Sequence, residues 1–220
     1  MRVVAALAAA VLLAGCGSSH KAATTGFCSG SGSPTVVLIP GFRATHTAWA
    51  AVQPRIAQFT RVCSYDSVAK IDASGPLVLV GHSRGGIGAR TYAVRHLAVV
   101  KGMVLVDSLP RGKQDSPALG SKPLIVIQAG REISDQVPAR TRFRLNSMWT
   151  DLQTDLTALS TDRIHVVAAT STHDVPRDQP EVISTATRAV VDAVRGKHRL
   201  ASCEQLFARV AAQCVATMAR

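Results

Sequence analysis

Short runs of branched apolar residues alternate along the chain with longer stretches in which apolar residues recur every three or four positions. The short runs have the length and composition of buried parallel strands, and the longer stretches have the spacing of amphipathic helices. The predicted strands are 35–39, 61–65, 77–80, 102–106, 123–127 and 164–168, and the predicted helices are 47–58, 85–96, 145–159, 180–195 and 201–218. This alternation predicts an α/β fold with a doubly wound, mostly parallel sheet of about six strands. Functional residues of such sheets collect at the carboxyl ends of the strands.

The first residues of the chain are typical of an export signal. One arginine is followed by an apolar run at 3–14, which is too short to cross a bilayer as a helix. The run ends in the letters LAGC, whose last residue is Cys16, and this ending resembles the lipobox of bacterial lipoproteins. The resemblance implies a signal peptide at 1–15, lipidation of Cys16, and anchoring in the cell envelope on the outer side of the bacterial cytoplasmic membrane. An ordinary secreted protein is the alternative.

The composition is that of a globular domain rather than a disordered or fibrous chain. Of the 220 residues, 47% are hydrophobic and only 4% are aromatic, so Val, Leu, Ile and Ala must build the core. The length suits one domain, which we place at 34–220 with a helical tail, after a Gly-, Ser- and Thr-rich flexible tether at 16–33. The formal net charge is +11, but the basic residues are scattered and not interleaved with aromatic residues. The charge therefore predicts attraction to anionic envelope surfaces and no nucleic-acid partner.

Export changes the meaning of the four remaining cysteines, because the compartment outside the cytoplasm is oxidising. Cys28, Cys63, Cys203 and Cys214 allow three pairings. We favour Cys203–Cys214, which closes a short C-terminal segment, together with Cys28–Cys63, which pins the tether to the domain. Four unpaired buried thiols are the alternative. The spacing matches no zinc pattern, so we expect no metal.

The third predicted strand is followed by a pattern that favours nucleophilic catalysis. Residues 81–85 read G-H-S-R-G, a G-x-S-x-G sequence between a strand and a helix. In such a turn the two glycines remove side chains that would collide with neighbouring backbone, and the hydroxyl of Ser83 is pushed outward. The N-terminus of the following helix would stabilise developing negative charge. A Gly-rich turn with a solvated serine is the alternative.

A serine hydroxyl needs a base, and the chain has seven histidines. His173 lies in the loop after the last predicted strand, at the carboxyl edge of the sheet and after Ser83 in the chain, which is the order that this kind of elbow requires. We therefore predict His173 as the base. His46, in the loop after the first strand, could line the site.

The acid that orients the histidine is less well defined by the sequence. Asp107 directly follows the fourth predicted strand, whereas Glu132 and Asp135 follow the fifth. Asp107 is favoured because its turn is short and would position it well, and Glu132 and Asp135 remain open. The backbone N–H groups of Phe42, after the first strand, and Arg84, at the elbow, are the predicted oxyanion donors.

These features together resemble the small bacterial esterase-like proteins of the α/β-hydrolase fold. The resemblance rests on stretches that include PTVVLIPGF, PLVLVGHSRGG and STHDVPRDQPEVI, and it covers roughly residues 34–195 in the expected order. It implies a serine nucleophile at Ser83, a base at His173 and main-chain oxyanion donors at Phe42 and Arg84. This chain departs from the family in three places: the helix before the third strand is missing, the two leading antiparallel strands are absent, and the segment after Asp107 is too short for a helical cap. We therefore expect a trimmed, lidless enzyme with an exposed Ser83.

The sequence thus predicts a serine hydrolase that cleaves carboxylic esters or thioesters through an acyl-enzyme on Ser83, with no cofactor. The expected substrate is an ester-containing small molecule or lipid. Two alternatives stay open. One is a non-catalytic binding protein on a degenerate hydrolase fold, which the missing helix motivates. The other is an envelope acyltransferase that uses the same residues.

Overall fold

Eight strands form one mixed sheet in the computed structural model, which describes residues 26–110, 118–131 and 136–216. The strands are β1 Phe27–Ser29, β2 Thr35–Ile39, β3 Val62–Ser64, β4 Leu77–His82, β5 Val100–Val106, β6 Leu124–Ala129, β7 Arg163–Ala168 and β8 Ala212–Val215. Their order across the sheet is β1-β3-β2-β4-β5-β6-β7-β8. The six central strands are parallel and correspond to the six predicted strands, whereas β1 and β8 add antiparallel edges.

Helices cover both faces of the sheet, so the doubly wound prediction is confirmed. The helices are α1 Gln53–Ala57, α2 Arg84–Arg95, α3 Ala139–Thr157, α4 Val175–Asp178, α5 Pro180–Gly196 and α6 Cys203–Phe207, with 3-10 turns at His46–Trp49 and Val68–Lys70. Alternate residues of each strand face opposite layers. On β2, Val36 and Leu38 pack in the layer of α1 and α5, while Val37 and Ile39 pack in the layer of α2 and α3.

The prediction of a flexible tether up to residue 33 is wrong for its last part. Residues Phe27–Ser29 form β1, which pairs antiparallel with β3, with Cys28 directly opposite Cys63. The predicted Cys28–Cys63 disulfide joins the two strands, and the Gln53 side chain donates a hydrogen bond to the Phe27 carbonyl. Cross-strand pairing outweighs the coil preference of a Gly- and Ser-rich segment here, so one antiparallel strand does precede the parallel sheet.

The C-terminal tail was predicted to be helical, and that prediction is also wrong in part. Helix α6 is short, and its N-terminus is capped by the Ser202 hydroxyl, which accepts a hydrogen bond from the Gln205 N–H. The chain then turns and forms β8, antiparallel to β7. The predicted Cys203–Cys214 disulfide ties the helix to this strand. The edge of β7 offers backbone hydrogen-bond partners, and pairing with them makes Ala212–Val215 a strand instead of a continued helix.

The connections that lead into β3 and β4 contain only short helical elements. The helix expected at 47–58 is split, because Pro54 in the first turn of α1 has no N–H to continue a preceding helix. The missing crossover helix before β4 is confirmed, since the 3-10 turn at Val68–Lys70 is the helical element described there. The cap region at 111–117 lies outside the described residues, so the lidless architecture stays a prediction. The same holds for the lipobox-like ending at Cys16 and for the export that it implies.

A buried histidine lies between the sheet and α3, away from the strand ends. His165, on β7, is fully buried, and its ring nitrogens contact Thr154 Oγ1 at 3.1 Å and Gln128 Oε1 at 3.0 Å. Burial lowers its pKa to about 4. The carbonyl oxygen of the Gln128 side chain accepts, so Nε2 carries the proton in the neutral ring.

This burial predicts an acid-sensitive contribution to stability. In the unfolded chain the histidine binds its proton near pH 6.5, whereas the folded protein resists protonation until about pH 4, so stability falls as the pH drops between these values. Between about pH 7.5 and pH 4.5 the wild type should lose about 2 kcal/mol more unfolding free energy than His165→Gln, whose side chain does not ionise. Urea denaturation across this range measures the difference. The exposed His198→Gln variant should follow the wild type, and parallel curves for wild type and His165→Gln would contradict the prediction.

Candidate active site

The predicted elbow forms at the carboxyl end of β4. Ser83 has φ 52° and ψ −121°, a strained conformation, and it stands as the N-cap of α2. A Cβ at Gly81 would lie 2.6 Å from the Gly85 carbonyl oxygen, and a Cβ at Gly85 would collide with the Ile39 carbonyl oxygen. Both glycines are therefore required by close backbone approach, as the motif predicts. Ser83 is half-buried rather than fully exposed.

Neighbouring backbone and a second serine hold the elbow in place. The Ser83 N–H donates to the Val106 carbonyl at 2.9 Å, which extends the pairing of β4 with β5. Ser108 Oγ donates to the Ser83 carbonyl at 3.2 Å. A Cβ at Gly86 would collide with this Ser108 hydroxyl, so the glycine makes room for it. The sequence pattern did not single out Ser108, because its role depends on the packing of two loops.

His173 and Asp107 meet at the strand ends. His173 Nδ1 lies 2.6 Å from Asp107 Oδ2, although the two residues are 66 positions apart. Asp107 is fully buried, while the His173 side chain is 43% exposed. Because a carboxylate only accepts, Nδ1 donates and Nε2 of the neutral ring is left as an acceptor. The rival acids Glu132 and Asp135 lie outside the described residues.

The second oxygen of Asp107 is also occupied. Asp107 Oδ1 accepts hydrogen bonds from the Ala129 N–H at 3.0 Å and from Trp149 Nε1 at 2.8 Å. Burial alone would raise the pKa of Asp107, but the hydrogen bonds from His173, Ala129 and Trp149 outweigh burial and lower it. The carboxyl group is thus held in its charged form. Trp149 was predicted only as part of a helix, and sequence periodicity gives no sign of this contact.

Ser83 and His173 line the same cavity, whose volume is about 610 Å³. Many of the other lining residues have small side chains: Ala44, Ala48, Ala50 and Ala51. His82, the second elbow residue, also lines this cavity, and its ring lies 4.9 Å from the His173 ring. His82 Nε2 donates to the His173 carbonyl oxygen at 2.8 Å, and burial lowers the pKa of His82. A neutral His82 therefore fixes the backbone of the loop that carries His173.

The two predicted oxyanion residues flank Ser83. Gly41, just before Phe42, approaches so closely that a Cβ there would lie 3.4 Å from Ser83 Cβ. Phe42 shares the cavity wall with Ser83, and Arg84 is the first residue of α2. Both residues thus lie close to the serine, and the assignment of their main-chain N–H groups as oxyanion donors stays a prediction. His46, which could have lined the site, instead pairs with Asp66 at 2.8 Å and does not line this cavity.

The described part of the chain offers no group of three or more His, Cys, Asp or Glu side chains placed to bind a metal ion. Within residues 26–110, 118–131 and 136–216, none of the helices has the length and apolar character needed to cross a membrane.

Several solved structures have the same architecture. An esterase of Thermogutta terrifontis superposes with a TM-score of 0.60 at 16% identity, covering 77% of this chain and 93% of its own. An N-formylmaleamic acid deformylase of Pseudomonas putida gives 0.54 at 14% identity, covering 74% and 94%. Mouse α/β hydrolase domain-containing protein 10 gives 0.56 at 11% identity, covering 77% and 94%. The chain has the α/β-hydrolase fold.

Sequence comparison adds less to this α/β-hydrolase assignment. No family model matches the chain. An uncharacterized protein of Schizosaccharomyces pombe is 34% identical in an alignment that covers 26% of this chain and 15% of that protein. Because the match spans so little of the relative, only the fold carries over from these comparisons, and the chemistry must be argued from the site.

Proposed function

We propose that this protein is a serine hydrolase that cleaves carboxylic ester or thioester bonds through an acyl-enzyme on Ser83. The observation that carries the proposal is the 2.6 Å hydrogen bond between His173 and the buried Asp107, next to a cavity that Ser83 shares with His173. A histidine held by a buried carboxylate beside a strained serine matches the requirements of nucleophilic catalysis. The esterase and the deformylase of the same fold support a hydrolytic reaction.

The reaction divides into two acyl transfers. Ser83 Oγ attacks the carbonyl carbon while His173 Nε2 accepts the hydroxyl proton, and the Phe42 and Arg84 N–H groups stabilise the oxyanion. Collapse of the tetrahedral intermediate breaks the ester bond, and the departing alcohol or thiol takes the proton from His173. Water then attacks the acyl-enzyme, gives its proton to His173 and releases the acid as Ser83 recovers its proton. Asp107 holds the imidazole and stabilises its charged form throughout.

Covalent labelling tests the nucleophile. A fluorophosphonate probe should label the wild type and leave Ser83→Ala unlabelled, because the probe reacts with an activated serine hydroxyl. Ser121→Ala changes an exposed serine far along the chain and should label like the wild type. A folded wild type that resists the probe and hydrolyses no p-nitrophenyl ester would overturn the proposal in favour of a binding protein.

An acyltransferase would label equally well, since it forms the same acyl-enzyme. Product analysis in the presence of added alcohol acceptors separates the two reactions. A hydrolase releases free acid as its main product, whereas an acyltransferase forms the new ester and releases little acid. If the new ester is the main product, the protein is an acyltransferase and the proposed hydrolysis is wrong.

We further expect Trp149 to act as a positioning residue through Asp107. Trp149→Phe keeps an aromatic ring but removes the N–H that donates to Asp107 Oδ1 at 2.8 Å. We expect kcat to fall about tenfold, the usual range for one hydrogen bond to a charged group, with KM unchanged because Trp149 does not line the cavity beside Ser83. Steady-state kinetics on a p-nitrophenyl ester measures the split. Met148→Leu, at the exposed neighbouring position, is the control, and a rise in KM with constant kcat would contradict this role.

A further inference from the structure

Two cavities meet at the loop that carries Phe42. Gly41, Phe42 and Ala44 line both the alanine-rich cavity beside His173 and a second cavity of about 710 Å³ on the other side of the loop. The second cavity reaches Arg43 and Arg84. An ester bound at Ser83 has two substituents that extend in different directions from its carbonyl carbon. The acyl group and the leaving group therefore need separate spaces. Ser83 lines the first cavity, and the second cavity borders it across Gly41, Phe42 and the next residue of the elbow, Arg84.

The second cavity has a concentrated positive charge. The guanidinium carbons of Arg43 and Arg84 each lie 5.1 Å from the centre of the Phe42 ring, which is 62% exposed. The two positive charges thus lie within about 10 Å of each other, on one aromatic side chain. Each guanidinium–ring contact costs little desolvation because it lies at the surface. Arg43 has φ 60°, so its backbone is held in a conformation that disfavours a non-glycine residue.

Carboxylates of the described residues do not neutralise these two cations. No ion pair joins Arg43 or Arg84 to an acidic side chain within the described ranges. Asp66 lines the same cavity, but its Oδ1 accepts hydrogen bonds from both the backbone and the ring of His46. Arg177 at the rim of the first cavity is different, since it pairs with Asp174 at 3.2 Å and Asp178 at 3.0 Å.

We propose that the leaving group of the substrate carries a carboxylate or phosphate, which Arg43 and Arg84 bind in the second cavity. This inference rests on the hydrolase function proposed above and assigns the substrate class of that site. The uncharged acyl group occupies the alanine-lined cavity. Guanidinium groups recognise planar carboxylates and phosphates through paired N–H donors, and their charge also attracts such substrates from solution.

Three butanoate esters test the charge preference. One is p-nitrophenyl butanoate, the second bears a carboxylate beside the nitro group, and the third bears a neutral carboxamide there. The carboxylate ester should have a kcat/KM about tenfold above the carboxamide ester, the effect expected for charged hydrogen bonds that are partly exposed. High salt should reduce this ratio, because it screens exposed charges.

The variants Arg43→Gln and Arg84→Gln should each lower the ratio of the two kcat/KM values severalfold, and the ratio cancels any change that affects both esters equally. Arg84→Gln keeps the main-chain N–H at the oxyanion position. The matched control is Arg188→Gln, which removes an exposed arginine from a similar stack on Phe59, at 4.0 Å and away from both cavities. It should preserve the charge preference.

The outcomes separate this inference from the proposed function. Equal kcat/KM for all three soluble esters together with equal fatty acid release from anionic and zwitterionic vesicles, or a preference that survives both arginine variants, overturns the anionic leaving group but leaves the hydrolase intact. Absence of both hydrolysis and fluorophosphonate labelling overturns the hydrolase itself.

A second experiment measures fatty acid release from vesicles of anionic phosphatidylglycerol and of zwitterionic phosphatidylcholine. A charge preference confined to the vesicles assigns the anion to a lipid headgroup, and one confined to the soluble esters assigns it to a free molecule.

Discussion

Asp107→Asn is expected to lower kcat for a p-nitrophenyl ester on the order of a thousandfold or more. The carboxylate bonded to His173 Nδ1 at 2.6 Å fixes which ring nitrogen carries the proton and stabilises the imidazolium that forms during attack. An asparagine amide can present its NH₂ group to the same nitrogen, which then becomes an acceptor. Nε2 would carry the proton in that tautomer and could not accept one from Ser83. Steady-state kinetics measures the loss, and fluorophosphonate labelling should slow in parallel.

Controls for this variant come from the rival acids. Glu132→Gln and Asp135→Asn should retain kcat within about twofold, because a residue outside the triad contributes little to the chemical step. In Asp107→Asn, the asparagine keeps an oxygen that can accept hydrogen bonds from the Ala129 N–H and from Trp149 Nε1, so this variant should still fold. Thermal unfolding checks this point. A larger loss of kcat in Glu132→Gln than in Asp107→Asn would transfer the role of the acid to the loop after β6.

The residues that the sequence could nominate share one property: each lies in the turn or loop that follows a predicted strand. Ser83, Asp107 and His173 lie at the carboxyl ends of β4, β5 and β7, where parallel strands bring their loops together. The sequence left the choice among Asp107, Glu132 and Asp135 open because the loops after β5 and β6 both leave the sheet at that same edge. Trp149 could not be predicted, since it comes from α3, 42 positions from Asp107, and only the packing of that helix on β6 directs its indole N–H.

The edges of the sheet show a second limit of sequence patterns. The central strands are continuous apolar runs buried on both faces, and their pattern predicts them well. Strands β1 and β8 have only three and four residues, and their side chains are exposed or half-buried. Their structure is decided by backbone pairing with β3 and β7, which local composition does not report. The cysteines gave the one local hint, because Cys28–Cys63 requires the N-terminal segment to lie beside β3.

Two glycines on α2 are expected to respond to alanine with opposite signs. A Cβ at Gly85 would collide with the Ile39 carbonyl oxygen and lie 2.5 Å from that of Pro40, and backbone oxygens at a strand end cannot easily move. Gly85→Ala should therefore reduce the free energy of unfolding by about 2 to 3 kcal/mol. It should also lower kcat/KM, because the displaced residues lead directly into the loop that carries the Phe42 N–H.

Gly88→Ala is the matched variant one turn further along the same helix. A Cβ there would make ordinary contacts, at 3.5 Å to Val68 and 3.6 Å to Ile39. Alanine has the higher helix propensity, so this change should raise the free energy of unfolding by about 0.5 to 1 kcal/mol. Urea denaturation of both variants measures the two signs. Equal stabilisation by the two alanines would mean that the elbow does not press against the β2 loop, and the support for an oxyanion site between Phe42 and Arg84 would then be lost.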